Sequence, residues 1–182
     1  REIKMGKRII VIYKSSTGFT KRYAEMIGEK VECTLLDYRA VTEKALSGYD
    51  IIVFGSRAHA GMIDGYKHIK SMLQKCTAGK VALFVTGATP NAAEDTINEF
   101  WRQNLTGDEL KKIPHFYMQS GLCYEKMGFV DKLMMKIFAA MMAKKKDKSS
   151  YEKDLGQVIS GSYDISSEKY VEPLVAFLKS EL

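Results

Sequence analysis

The strongest constraint on this chain is a regular alternation of short apolar runs with segments that have the composition of helices. The predicted strands cover residues 8–13, 33–37, 50–55, 80–87 and 115–121. The predicted helices cover residues 20–31, 65–75, 93–105 and 166–182. Three of the strand segments are continuously apolar, which is typical of strands that are covered on both faces. Because helices join the strands, the pattern predicts an α/β fold with a doubly wound, five-stranded parallel sheet.

Length and composition indicate one soluble domain, which we predict to span residues 1–182. Hydrophobic residues make up 46% of the 182-residue chain and charged residues 27%, as in ordinary globular proteins. No apolar run reaches the roughly 18 residues of a membrane span, and no secretion signal is predicted. The three cysteines lie far apart in the sequence, which favours reduced thiols and a cytoplasmic location over a disulfide framework.

A loop rich in hydroxyl groups follows the first predicted strand and precedes the first predicted helix. It consists of Ser15, Ser16, Thr17, Gly18, Phe19 and Thr20. Such a loop can bind phosphate, because the first N–H groups of a helix lack an intrahelical partner and the helix dipole adds positive charge. The loop has neither the lysine of a nucleoside-triphosphate P-loop nor the glycines of a dinucleotide fingerprint. It therefore suits a monophosphate, the alternative being an ordinary turn that caps the helix.

Two further loops follow the third and fourth predicted strands, whose ends share one crevice in a sheet of this kind. The candidate ligand-binding residues of these loops are Arg57, Ala58, His59, Ala60 and Gly61, and Thr86, Gly87, Ala88 and Thr89. Their small side chains allow the backbone to approach a flat ligand closely. Arg57 and His59 are expected to place positive charge beside that ligand. The alternative is a pair of ordinary surface turns.

The pattern Ser-x-Thr-Gly-x-Thr after a first strand resembles the phosphate loop of flavodoxins, which hold flavin mononucleotide (FMN). This resemblance implies a flavodoxin-like fold and FMN as cofactor, with its phosphate on residues 15–20 and its ring framed by the two later loops. Many flavodoxins stack an aromatic side chain on each face of the ring, but neither loop here contains Trp or Tyr. His59, Met62 or Tyr124 would then cover the ring, or one face would be open to a bulky substrate.

Residues 122–165 are additional to the minimal fold, and residues 127–143 are predicted to form an apolar helix rich in methionine. Seven basic residues lie between Lys126 and Lys148, where the only acids are Asp131 and Asp147. Three interpretations are open. The helix packs on its own domain or in a homodimer, it contacts an anionic membrane surface through residues 127–148, or it covers an apolar substrate or quinone. No nucleic-acid partner is predicted, because the basic cluster is short and lacks a polar stacking platform.

Residues 122–137 resemble the corresponding stretch of the menaquinone-dependent protoporphyrinogen dehydrogenases. The resemblance is carried by Tyr124, Asp131, Lys132, Met134 and Lys136. It implies an FMN-dependent oxidoreductase that associates with a membrane and transfers electrons from a reduced organic substrate, protoporphyrinogen in that family, to a quinone. The alternatives are a simple electron-transfer flavodoxin that docks on redox proteins and a flavin-free phosphate-binding regulatory module. No catalytic acid or base is implied, because a flavin accepts reducing equivalents without one, and no residue spacing indicates a metal site.

Overall fold

The computed structural model describes residues 6–76, 79–145, 159 and 161–182. The strands are β1 (Ile9–Tyr13), β2 (Thr34–Asp37), β3 (Ile51–His59), β4 (Met62–Ile63), β5 (Lys80–Gly87), β6 (His115–Gln119), β7 (Gly121–Leu122) and β8 (Tyr163–Asp164). The α-helices are α1 (Phe19–Lys30), α2 (Glu43–Leu46), α3 (Tyr66–Leu73), α4 (Glu94–Asn104), α5 (Gly107–Lys112), α6 (Phe129–Lys144) and α7 (Glu172–Glu181). Short 3-10 helices cover Tyr38–Ala40, Tyr124–Lys126 and Glu168–Tyr170.

Five strands form the main sheet in the order β2-β1-β3-β5-β6, and every neighbouring pair along this path is parallel. This arrangement confirms the predicted α/β fold with a five-stranded parallel sheet. All of the strands therefore end at the same edge, so the loops after β1, β3 and β5 can meet there.

The two faces of the sheet are covered by different helices, which explains why the central strands are continuously apolar. Ile9 of β1 packs in the same buried cluster as Ile27 of α1. The next residue, Ile10, faces the opposite way and packs with Ile69 of α3 and Trp101 of α4. Successive side chains of a strand point to opposite faces, so a strand between two helical layers has to be apolar at every position.

The segment after the third strand differs from its prediction as a loop. β3 continues through His59, and β4 returns antiparallel to it, with His59 paired to Met62. The two residues between them, Ala60 and Gly61, have φ values of 48° and 78°. Positive φ at both central positions is the geometry of the tight turns that join hairpin strands. Arg57, Ala58 and His59 are therefore held in a strand and not in a free loop.

The additional segment also differs in part from the prediction. The fifth strand of the sheet ends at Gln119. The residues that follow form β7, which pairs with β8 in a separate two-stranded ribbon because the backbone of Tyr163 lies directly against Gly121. The predicted apolar helix is present as α6. Residues 146–158 and 160 of the predicted segment, including Lys146 and Lys148, lie outside the described residues. In the part of the chain that is described, no helix has the length and apolar character needed to cross a membrane.

Candidate functional site

Residues from all three predicted loops line one crevice at the carboxyl edge of the sheet. Its volume is about 280 Å³. The predicted residues in its walls are Thr17, Phe19, Arg57, Ala58, Thr86, Gly87, Ala88 and Thr89. The structure thus brings together parts of the chain that are as many as seventy positions apart, as the ends of parallel strands require.

The loop after β1 forms the amino-terminal cap of α1. Gly18, the residue before the helix, has a φ of 98°, a left-handed conformation that only glycine adopts without strain. Its N–H donates a hydrogen bond to Ser15 Oγ at 3.2 Å, and Ser16 is exposed. No acidic residue lies in the first turn of α1. The first-turn N–H groups, which lack intrahelical acceptors, therefore face no competing carboxylate from their own helix.

Thr20 and Thr86 join this loop to the end of β5. Both side chains are 2% exposed, and their hydroxyl oxygens lie 2.9 Å apart. The Thr20 hydroxyl is thus buried and engaged by Thr86 at the start of α1. A buried hydroxyl pair of this kind fixes the spacing of the two loops, because separating it would leave two unsatisfied polar groups.

The end of β3 carries a chain of alternating charges. Arg57 donates to Asp64 from Nε at 3.1 Å and to Asp131 from Nη1 at 2.9 Å. Lys14 Nζ contacts the same oxygen of Asp64, Oδ2, at 2.8 Å, and His59 Nε2 lies 2.8 Å from Asp131 Oδ1. Asp131 belongs to α6, so this chain of charges fastens the additional helix to the hairpin. The charge of Arg57 is shared between two carboxylates, which balances the positive charge predicted beside the ligand.

These contacts lower the pKa values of both carboxyl groups. Hydrogen bonding from Arg57, supported by His59, holds the pKa of Asp131 below its ordinary value of 3.8. Burial favours the neutral form of Asp64, but Lys14 and Arg57 outweigh it and its pKa is also lowered. Both side chains are therefore ionised at neutral pH.

Helix α6 covers the open side of the crevice. Met135 and Phe138 of α6 line it together with Met127, which precedes the helix. Sequence reasoning did not assign these residues to the site, although Asp131 gave a signal: it is the only acidic residue of α6, whose other charged residues are lysines. Apolar side chains from a helix outside the main sheet layers therefore form this wall.

The crevice walls include the predicted Phe19 but not His59, Met62 or Tyr124, which the sequence suggested as covers of the ring. Met62 is 42% exposed on the hairpin, and the Tyr124 hydroxyl donates to the Ile159 carbonyl. The aromatic residues in the crevice walls are instead Phe19, Tyr117 and Phe138. Tyr117 comes from β6, which had been assigned no role in the site.

Two of the predicted residues lie in a neighbouring cavity. Ala60 and Gly61, at the tip of the hairpin, line a space of about 570 Å³ against Phe100 of α4. Ala58 and Tyr117 line both cavities and so form the partition between them. The hairpin therefore has one side toward the crevice and the other toward α4.

Gly87 is the position where backbone and ring pack most closely in the crevice. A Cβ at Gly87 would lie 2.5 Å from the Tyr117 hydroxyl and 3.4 Å from the Cβ of Ala58. No larger residue fits without displacement of the Tyr117 ring. The small residues predicted to allow close approach to a flat ligand are thus also required by the packing of the protein itself.

The donors and walls of the crevice fit a flavin monophosphate. One end offers the N-terminus of α1 with the hydroxyl of Thr17, which suits a phosphate. The other end is lined by small and apolar residues, among them Ala58 and Ala88, which suits a flat conjugated ring.

Comparison with known proteins places the chain in a family. Residues 10–150 match the flavodoxin domain family. No curated protein matches the chain.

Several solved structures are similar to the chain at low sequence identity. A WrbA-like flavodoxin from Agrobacterium tumefaciens is 18% identical, with 85% of this chain and 98% of that chain covered and a TM-score of 0.39. Two-electron reduced Megasphaera elsdenii flavodoxin is 15% identical, with 84% and 98% covered and a TM-score of 0.43. A flavoprotein from Lactobacillus acidophilus, in complex with FMN, is 18% identical, with 63% and 93% covered and a TM-score of 0.43.

The family match extends from β1 through α6 and includes all three loops of the crevice. The chain therefore belongs to the flavodoxin domain family, which confirms the predicted flavodoxin-like fold and FMN as its cofactor.

Proposed function

We propose that this protein is an FMN-dependent oxidoreductase that transfers electrons from a reduced organic substrate to an acceptor. The observation that supports this most strongly is the crevice itself, in which the three predicted loops meet beneath α6. An electron carrier that docks on proteins needs an accessible flavin edge. Here an apolar helix covers the crevice, which favours a small substrate that enters beneath it.

The phosphate end of the site is formed by backbone and hydroxyl groups. The first-turn N–H groups of α1 and the hydroxyl of Thr17 bind the phosphate, and Gly18 allows the chain to turn around it. Thr20 acts as a positioning residue, because its hydrogen bond to Thr86 sets the distance between the phosphate loop and the end of β5.

The ring end of the site is formed by strand ends and by α6. FMN, when bound, supplies the electron-accepting and electron-donating chemistry. Ala58 and Ala88 allow the backbone to approach the ring, while Met135 and Phe138 exclude water from it. The contacts of Asp131 with Arg57 and His59 hold α6 over the ring. Movement of α6 is the simplest way to admit a substrate, since that wall belongs to a separate helix.

The outer face of α6 supports a membrane-bound acceptor. None of its 16 residues is buried, and Phe129, Val130 and Met141 are 82%, 65% and 66% exposed. Lysines lie within the helix and at its carboxyl end, at Lys136 and at Lys144–Lys145. An apolar face with flanking lysines suits a surface of anionic lipid, and a quinone dissolved in that lipid would be the acceptor. Protoporphyrinogen is the substrate that we propose, on the resemblance of residues 122–137.

A titration combined with a turnover assay tests this function. The purified protein is titrated with FMN, followed by flavin fluorescence, and the complex is then mixed with protoporphyrinogen and menadione. We expect one FMN per chain and oxidation of the substrate with reduction of the quinone. Tight FMN binding without turnover would support the carrier instead. Failure to bind FMN would overturn the proposal.

The membrane contact has its own test, which uses vesicles of anionic phospholipid. Phe129→Asp and Met141→Asp are expected to abolish co-sedimentation with the vesicles. Leu35→Asp, at a residue of β2 that is 37% exposed, is the control and should leave binding unchanged. If the wild-type protein does not bind vesicles and instead forms a dimer that Phe129→Asp dissociates, the outer face of α6 is a homodimer interface.

A further inference from the structure

The 3-10 turn Tyr124–Lys126, which precedes α6, brings a lysine to the phosphate loop. Lys126 Nζ lies 3.7 Å from the position that a Cβ on Gly18 would occupy. The same side chain lines a cavity of about 440 Å³ together with Thr17, Gly18 and Phe19. Lys126 is more than one hundred positions from this loop in the sequence, so only the fold shows that the two meet.

The other cations around the loop are already paired with carboxylates. Lys14 contacts Asp64 at 2.8 Å, and Lys21 contacts Glu25 at 3.7 Å. Arg22 forms an ion pair with Asp164 of the β7–β8 ribbon.

Lys126 differs from these cations. Among the residues that the structure describes, it has no ion-pair partner. Within the described part of the chain, it is therefore a positive charge near the N-terminus of α1 that forms no ion pair with a carboxylate.

Hydrogen bonds to the ribbon fix the turn that carries this lysine. The Tyr124 N–H donates to Ser162 Oγ at 2.9 Å, and the Ser162 hydroxyl donates to Glu125 Oε2 at 2.7 Å. The Lys126 N–H donates to the Cys123 carbonyl at 3.2 Å. Glu125, the neighbouring acid, is thus engaged by the ribbon, while the Lys126 side chain extends the other way to Gly18.

We infer that Lys126 is a binding residue for the FMN phosphate, supplied by the segment that is additional to the minimal fold. This inference rests on the proposed function, since it concerns the same site. An ammonium group beside a helix N-terminus attracts a phosphate dianion through charge-assisted hydrogen bonds. Because it contacts the phosphate end alone, Lys126 gives the site selectivity for FMN over riboflavin. It also couples the position of the additional segment to the presence of the phosphate.

The test compares the dissociation constants of FMN and riboflavin in three variants. For Lys126→Ala we expect FMN affinity to fall about fivefold, as for one partly exposed charge contact, and its dependence on salt to decrease. Riboflavin affinity should be unchanged. Lys126→Arg should retain most of the FMN affinity. Lys136→Ala, which removes an exposed lysine of α6, is the matched control and should affect neither ligand.

The outcomes separate this inference from the proposed function. If the wild type binds FMN and Lys126→Ala binds it equally well, Lys126 has no role in phosphate binding. If FMN and riboflavin weaken equally, Lys126 acts only on the structure of the site, and the inference is again overturned. If the wild-type protein binds no FMN, the proposed function itself fails and the role of Lys126 fails with it.

Discussion

Helices α1 and α6 show how differently two helices can be attached to the same sheet. The 12-residue α1 is rich in charged residues, yet Thr20, Tyr23, Ala24 and Ile27 on its inner face are buried. The 16-residue α6 is far more apolar, yet none of its residues is buried. Burial therefore follows from the position of a helix in the fold and not from its composition. An apolar helix that its own domain leaves exposed has a surface that is available to bind a partner.

The two helices also differ in the contacts that attach them to the rest of the protein. α1 follows β1 directly and packs in the core beneath the sheet. α6 reaches the rest of the protein through the contacts of Asp131 with Arg57 and His59 and through a few side chains in the crevice. The first helix belongs to the scaffold of the fold, and we propose that the second is a cover that can move at a modest cost in free energy.

The largest expected effect comes from the same substitution made in each helix. Ile27→Ala, at a residue with no exposed surface, should lower the free energy of unfolding by about 2–5 kcal/mol, because it leaves a cavity in the core. Ile137→Ala, at a residue of α6 that is 52% exposed, should change it by less than about 0.5 kcal/mol. Urea unfolding measures both values. A large loss at Ile137 would show that α6 is part of the core.

The next effect concerns the hydroxyl pair that joins α1 to β5. Thr20→Val should lower the free energy of unfolding by about 1–3 kcal/mol, because it leaves the buried Thr86 hydroxyl without its partner. The double variant Thr20→Val/Thr86→Val should recover part of this loss. Ser16→Ala, on the exposed side of the same loop, is the control. Equal stability of Thr20→Val and Ser16→Ala would show that the pair does not hold the loops together.

A smaller effect is expected where α6 is fastened. Asp131→Asn keeps the shape of the side chain but removes the charge that Arg57 and His59 contact. We expect FMN to dissociate about fivefold faster, which corresponds to ~1 kcal/mol, while the protein remains folded. Stopped-flow fluorescence of flavin release measures the rate, with the exposed Asp108→Asn as control. An unchanged rate would mean that α6 does not retain the cofactor.

The smallest effect is in the dependence of stability on pH. The pKa of Asp131 in the folded protein lies below the ordinary value of 3.8. Its ion pairs therefore stabilise the folded state fully at neutral pH, and this contribution is lost as the pH falls below about 4 toward the folded pKa. The difference in unfolding free energy between the wild type and Asp131→Asn should be constant above pH 5 and shrink below pH 4. A difference in unfolding free energy that grows as the pH falls would contradict this prediction.

Much of the scaffold was predictable from the sequence, and the reasons are local. Continuous apolar runs identified β1, β3 and β5, and the hydroxyl-rich turn marked the start of α1 within one residue. The segment after the third predicted strand was wrongly taken as a loop, because the hairpin turn that extends β3 depends on Ala60 in a left-handed conformation, which an alanine rarely adopts.

The wall of the site could not be predicted, since it is made by contacts between distant parts of the chain. Nothing in the local sequence of Tyr117 indicates the crevice, which it reaches through the strand order. Nothing in the local sequence of Lys126 indicates the cavity beside the phosphate loop, which it reaches because the β7–β8 ribbon holds its turn there. Thr20 is a predicted site residue whose contacts in the fold the sequence did not reveal. Its spacing predicted a phosphate ligand, but the position that follows Phe19 in the helix points inward, and its hydroxyl reaches Thr86.

Hydrogen–deuterium exchange with and without FMN tests most directly whether α6 closes over a flavin site. The prediction is slower exchange in FMN at residues 15–20, 57–61 and 86–89 and across α6, and unchanged exchange in α5, which lies outside the crevice. Protection of the three loops without α6 would contradict its role as a cover. Protection elsewhere in the protein, with these loops unaffected, would contradict the site itself.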